Sequence, residues 1–182
     1  MTGVQTCALP ISTSRRRAGA SEVSGDAFIG LGSNLGDRAG EIDRAVAEIA
    51  ALPATTLVEC SSAYASAPLD APGGDYLNAV ARVRTSLAPL DLLHALQAIE
   101  TRHGRLRPFA GAPRTLDLDL LLYDDLEIAT DELSLPHPRL HERAFVLAPL
   151  LEIAPGLVVP GRGRVSDLRS AVVAQRVARL SR

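Results

Sequence analysis

Leucine and aspartate alternate through Leu116-Asp117-Leu118-Asp119-Leu120 and run on into Leu121 and Leu122. A period of two is the mark of a β-strand, because successive side chains leave a strand on opposite faces. It puts Asp117, Asp119 and Leu121 on one face and Leu116, Leu118, Leu120 and Leu122 on the other. The leucine face belongs to a core. The other carries two carboxylates side by side, which repel each other and lose hydration as they are enclosed. A cation must compensate. Hard divalent ions such as Mg²⁺ take oxygen ligands and keep phosphate oxygens in their shell, and Arg114, close before the pair, adds a fixed positive charge suited to phosphate. On its own the pair also reads as the solvated end of a strand beside a turn. The rest of the chain has to decide.

The flanking pattern predicts a βαββαβ order. Residues 27–31 read as a first strand, 32–36 as a turn, and Asp37 as the cap of a helix carrying Ile42, Val46 and Ile49 at helical spacing and ending near Pro53. Residues 56–66 are rich in strand formers and predict a second strand. Residues 76–85 predict a third, with Tyr76, Asn78, Val80 and Arg82 on one face. Pro89 suits a first helical turn, Leu92, Leu93, Leu96 and Ile99 form the stripe of a second helix, and Gly104 can end it. Residues 116–123 make the fourth strand. The expected fold class is therefore α+β: a ferredoxin-like antiparallel sheet with helices on one face. A C-terminal extension follows, with a short helix at 141–151, an extended piece at 157–159 and a last helix from about Ser166. The Gly- and Pro-bearing stretches 67–75 and 105–113 are expected to be mobile loops.

At 182 residues the chain is long enough for one domain with a core. Its net charge of −2 leaves no nucleic-acid footprint, and no apolar run reaches the ~18 residues needed to cross a bilayer. Every basic residue is arginine, so lysine-based chemistry is excluded. Cys7 and Cys60 lack any metal spacing and predict a reduced, cytoplasmic protein without a disulfide framework. No glycine loop ends in Lys-Ser/Thr, so phosphate recognition must come from arginine and metal.

Residues 1–25 are set apart from the catalytic domain expected over 26–182. Thr2 to Ile11 is the translation of a common sequencing-library adapter, so 1–11 is expected to be an assembly artefact. Residues 12–25 are polar, with Arg15-Arg16-Arg17 and no apolar h-region, and are expected to be disordered or spurious.

Five segments in order, Phe28-Ile-Gly-Leu-Gly-Ser-Asn-Leu-Gly36, Ser61-Ser-Ala-Tyr64 with Pro68, Asp75-Tyr-Leu-Asn78, the Asp-x-Asp strand, and Leu135-Pro-His-Pro-Arg-Leu-His-Glu-Arg-Ala-Phe-Val146, closely resemble the 6-hydroxymethyl-7,8-dihydropterin pyrophosphokinases of folate biosynthesis. The resemblance runs from about Ala27 to Pro160. It implies ATP-dependent transfer of diphosphate to a pterin alcohol, with release of AMP. It implies Asp117 and Asp119 as the holders of two Mg²⁺ ions, with Arg105 and Arg114 stabilising charge at the transferred group. Gln97, Glu100, Arg107, Ser134, His137 and Arg143 match positions around ATP. Tyr64, Ser66, Pro68, Leu69, Tyr76, Asn78 and Phe145 match the pterin pocket, where Tyr76 and Phe145 offer aromatic faces and Asn78 both donor and acceptor. Taken singly, Tyr76 and Phe145 also read as core, and Arg105 and Arg107 as solvated loop. His94, His103 and His141 match nothing catalytic and read as surface or structural. The expected partners are ATP and the pterin, with no nucleic acid or membrane, and the chain is expected to be a monomer.

The loop departs from the family's pattern: Pro108 stands where some members have lysine, and Ala110-Gly111-Ala112 where some have tryptophan. Pro138, after His137, stands where some members have tyrosine. Two other functions fit the acidic strand: a metal-dependent phosphohydrolase that activates water, and a non-catalytic ferredoxin-like ligand-binding module.

Overall fold

The computed structural model describes residues 24–68, 74–104 and 115–180. Its centre is a 6-stranded antiparallel sheet. Strand β1 (Gly25–Ser33) lies between β4 (Tyr76–Thr85) and β5 (Asp117–Tyr123). β4 pairs on its other side with both β2 (Thr55–Cys60) and β3 (Tyr64–Ser66), and β3 pairs in turn with the C-terminal β10 (Val177–Arg179). The single strand expected over 56–66 is thus two pieces. They part at Ser61, whose own N–H bonds the Val80 carbonyl and whose Oγ accepts the Val80 N–H. A side chain doing the work of a backbone group ends regular pairing there.

Helices α1 (Arg38–Ala50) and α2 (Pro89–Arg102) cover one face. Asp37 caps α1 by accepting the Gly40 N–H at 3.1 Å, and Pro89 opens α2, as the sequence predicts. Ile42, Ala45 and Ile49 of α1 and Leu92, Leu96 and Ile99 of α2 pack on Ala27, Ile29, Leu31, Leu118 and Leu120. Each large aliphatic chain enclosed in this way contributes roughly 1.5–3 kcal/mol. Gly104, at φ +74°, carries the chain out of α2.

The extension covers the opposite face, so helices lie on both sides of the sheet. After two short strands, β6 (Ile128–Ala129) and β7 (Ser134–Leu135), comes a 3₁₀ turn (Leu140–Glu142). Helix α3 (Ala144–Ile153) follows, then the hairpin β8 (Val158–Val159) with β9 (Gly163–Arg164), and α4 (Val165–Ala171). Val146, Leu147, Leu150 and Val165 bury against Phe28, Val80 and Leu121.

One facing expectation fails. Leu122 joins Leu121 in this second core, and Tyr123 points to the first. The pairing of β1 with β5 slips between Phe28 and Ile29: Ile29 pairs Leu120 and Phe28 pairs Leu122. Leu121 is the extra residue of a β-bulge, and beyond it the alternation reverses. The slip comes after the aspartates and leaves them together.

Candidate active site

The register of four strands builds a single row. Tyr64 on β3 is opposite Asn78 on β4, Asn78 is opposite Gly32 on β1, and Gly32 is opposite Asp117 on β5. Directly opposed residues share a face. Ser66 and Tyr76 pair two positions along from Tyr64 and Asn78, and Asp119 pairs Gly30 two along from Asp117. Tyr64, Ser66, Tyr76, Asn78, Asp117 and Asp119 therefore all project from the face that α3 covers.

Glycine at the middle of the row keeps this face open. A methyl group on Gly32 would stand 3.6 Å from Asn78 Oδ1 and 3.9 Å from Asp117 Cβ. The end of β1 is thus a bare backbone floor between an amide and a carboxylate, the arrangement in which a strand glycine marks close approach by a ligand.

Asn78 is held by its neighbours. It is 4% exposed, and its amide nitrogen donates to Ser66 Oγ at 2.9 Å and to the Tyr64 carbonyl at 3.2 Å. Both amide hydrogens are spent on β3, which directs the carbonyl oxygen toward Gly32. The Tyr64 hydroxyl donates to Glu152 Oε2 on α3 at 2.8 Å. Burial and that carboxylate push the Tyr64 hydroxyl up to about 12, so it stays a donor.

Asp117 and Asp119 are half-buried at the start of β5. Arg143 Nη1 lies 3.8 Å from Asp119 Oδ2, and its guanidinium carbon stands 5.7 Å from the centroid of the Phe145 ring, within cation–π range. His137 is placed by its N–H on the Leu121 carbonyl (2.9 Å), and its Nδ1 accepts the Arg139 N–H. Burial lowers its pKa, against the fields of Asp119 and Asp117. An imidazole, a guanidinium and two carboxylates are thus gathered from three segments. Ser134 pairs with Ala129 in the small β6–β7 sheet.

Gln97 and Glu100 lie on α2, across β5 from this face. Gln97 is exposed, and Glu100 is fully buried with Oε1 accepting the Leu118 N–H at 2.8 Å. β5 is the last strand of the sheet, so its outward amides need a partner. Glu100 supplies one to the residue between the two aspartates. Pro68 closes the described part of the segment after β3. Leu69, Arg105, Arg107 and Arg114, like most of both expected loops, lie outside the described residues.

The aspartate pair suits a hard cation: oxygen donors two residues apart on one strand face, partly open to solvent. Among the described residues no third Asp, Glu, His or Cys gathers with them into a metal-binding group. The remaining shell of a bound Mg²⁺ would fall to phosphate oxygens and water, the usual habit of that ion. His103 is held between Glu41 and Glu48, with Nδ1 at 2.6 Å and Nε2 at 2.8 Å, which is a structural tie between α1 and α2. Glu152 and the C-terminal residues that meet it carried no motif. The only sign in the sequence was one carboxylate within the otherwise apolar helix 144–153.

Residues 28–155 match the family described as 7,8-dihydro-6-hydroxymethylpterin-pyrophosphokinase (HPPK). The chain is 46% identical over 145 residues to the 2-amino-4-hydroxy-6-hydroxymethyldihydropteridine pyrophosphokinase of Haemophilus influenzae, covering 78% of this chain and 89% of that one. It is 43% identical over 138 residues to the enzyme of the same name from Synechocystis, covering 76% and 71%. Among solved structures it resembles an HPPK-DHPS crystal structure in complex with substrates, with TM-score 0.69 and 12% identity. It also resembles Plasmodium falciparum HPPK-DHPS A437G with pteroate, with TM-score 0.65 and 12% identity. These matches cover 83% and 86% of this chain but 44% of each of those longer chains, and at that identity they speak for the fold alone. With the acidic pair, the glycine floor and the buried asparagine aligned on one sheet face, the relatives complete the assignment: the chain belongs to the HPPK family.

Proposed function

We propose that this protein transfers the terminal diphosphate of ATP to the hydroxymethyl group of 6-hydroxymethyl-7,8-dihydropterin in folate biosynthesis. The observation that carries this is the row Tyr64–Asn78–Gly32–Asp117, which joins a heterocycle-binding end to a metal-binding end across one open glycine. The carbonyl of Asn78 would accept from the pterin's edge while Tyr76 and Phe145 enclose its faces. Ser66, Pro68 and Leu69 would complete that pocket. Asp117 and Asp119 would hold Mg²⁺, two ions on this account, and the metal when bound neutralises triphosphate charge and orients its oxygens.

In the reaction the pterin hydroxyl oxygen attacks the β-phosphorus and the bond from that phosphorus to the α–β bridging oxygen breaks. AMP leaves with the electron pair, and the hydroxyl proton is released. Protein groups have mainly to position and to stabilise charge. Arg143 and His137, already beside the aspartates, are assigned to ATP phosphate, with Arg105, Arg107 and Arg114 closing from the loop and Gln97, Glu100 and Ser134 bordering the nucleotide. The strand order β5-β1-β4, with β2 and β3 outside β4, supports the ferredoxin-like arrangement. We take the enzyme to be a cytoplasmic monomer. No helix among the described residues is long and apolar enough to cross a membrane, and gel filtration tests the monomer.

One assay separates the chemistries. AMP forming only when ATP, Mg²⁺ and the reduced pterin are all present is the expected result. ADP and phosphate forming without pterin would mark a phosphohydrolase, and no turnover beside tight ligand binding would mark a binding module.

A further inference from the structure

The C-terminal segment around β10 reaches both ends of the proposed pterin site. Gln175 Nε2 donates to the Glu142 carbonyl at 2.7 Å, and its Oε1 accepts the Ala144 N–H at 2.9 Å. That one side chain brackets Arg143 and fixes the first turn of α3, which carries Phe145. Four residues on, Arg179 donates from Nη2 to Glu152 Oε1 (2.9 Å) and from Nε to Ser62 Oγ (3.0 Å). Glu152 also accepts the Ser62 N–H and hydroxyl at its Oε1, and the Tyr64 hydroxyl at its Oε2. β10 itself pairs Val177 with Ser66, Ala178 with Ala65 and Arg179 with Tyr64, and the Leu180 N–H reaches the Ala63 carbonyl.

β3 is only three residues long, yet it holds both hydrogens of the Asn78 amide. Without β10 it would be an edge strand, and short edge strands fray. We infer that Gln175 and Arg179, acting through the Glu142–Ala144 turn and the Glu152–Ser62–Tyr64 network, are positioning residues for the pterin, holding the Phe145 wall and the Asn78 wall at a fixed separation. Neither touches the substrate. Both lie beyond the residues 28–155 matched to the family. The inference rests on the pterin-pocket assignment above and adds the source of its rigidity.

The test uses the full-length protein and the variants Gln175→Ala, Arg179→Ala, Arg179→Lys and Glu152→Gln. KM for pterin and for ATP and kcat are read from AMP release. Pterin affinity is read separately by calorimetry with Mg²⁺ and a non-hydrolysable ATP analogue. For Gln175→Ala, Arg179→Ala and Glu152→Gln, pterin KM and Kd should rise about 5–20-fold, the scale of one or two lost hydrogen bonds acting through one intermediary, with ATP KM within about twofold of wild type. Arg179→Lys should recover part of the loss. Unchanged pterin Kd in all three, or ATP and pterin KM rising in parallel with falling thermal stability, would overturn the inference and leave these residues as general staples. A wild-type protein that binds pterin but releases no AMP would instead count against the proposed reaction, while the affinities still decide the positioning role.

Discussion

At the scale of single residues the carboxylate pair and the glycine between strands make opposite demands. Asp117→Asn and Asp119→Asn keep shape and remove charge. Each should lower kcat about 10²–10³-fold, the usual loss when one group stabilising developing charge is removed. AMP release at saturating ATP, Mg²⁺ and pterin measures it, and a change under threefold in both would refute the metal-pair assignment. At Gly32 a methyl group meets its neighbours at ordinary contact distance, so Gly32→Ala should fold with little change in melting temperature. A larger branched side chain has only the open floor to enter. Gly32→Val should lower kcat/KM for pterin about 10²-fold, the scale of an ångström-level misplacement. An active Gly32→Val enzyme would show that no ligand lies over that strand.

At the scale of elements the local rules were mostly sufficient. The cap at Asp37, the proline opening α2 and the leucine stripe of that helix were legible because each depends on neighbours within a turn. Asp37→Ala should cost about 1 kcal/mol, read as a lower urea midpoint with unchanged slope. What the sequence hid depends on partners distant in the chain. The bulge at Leu121 is set by how β5 meets β1, and a run of three leucines shows no slip. The break at Ser61 depends on Val80. β10 was invisible because three residues of weak pattern become a strand only when β3 offers an edge. In the candidate site, the sequence could name Tyr64, Ser66, Tyr76, Asn78, Asp117 and Asp119, which the structure gathers on one sheet face, but not Glu152, Gln175 and Arg179, which are proposed to orient them. An arginine or glutamine that bonds a distant carboxylate or carbonyl has no spacing to betray it.

At the scale of the whole molecule, β1 takes up its sheet partners from Gly25 onward, so a chain starting at Ser24 should keep both its melting temperature and its AMP release. Loss of either would give residues 1–23 a role. The link between the covering helix and the sheet should also show in pH. Burial opposes the charge on Glu152, but bonds from Tyr64 and Ser62 and the field of Arg179 hold its pKa below the ordinary carboxylate value. Its contribution is present above that value and lost as pH falls through the lowered one. The raised Tyr64 hydroxyl works the other way: its contribution is intact below 10.0 and lost as pH rises toward about 12. Glu152→Gln should flatten acid unfolding, and Tyr64→Phe should flatten part of the alkaline loss of stability above pH 10.0, to which Tyr123, also raised by burial, still contributes; stability curves that match wild type would show that the tie carries no stability. Finally, Asn78 and Asp117 are separated by one strand's width on either side of Gly32, and β-strands are spaced by a near-constant ~4.8 Å. Backbone hydrogen bonding has thereby fixed a gauge of roughly 10 Å between Asn78 and Asp117. An alcohol whose arm is one carbon longer or shorter than the natural acceptor's would present its oxygen off the line of attack, so selectivity for arm length is built into the sheet and no side-chain substitution can easily retune it.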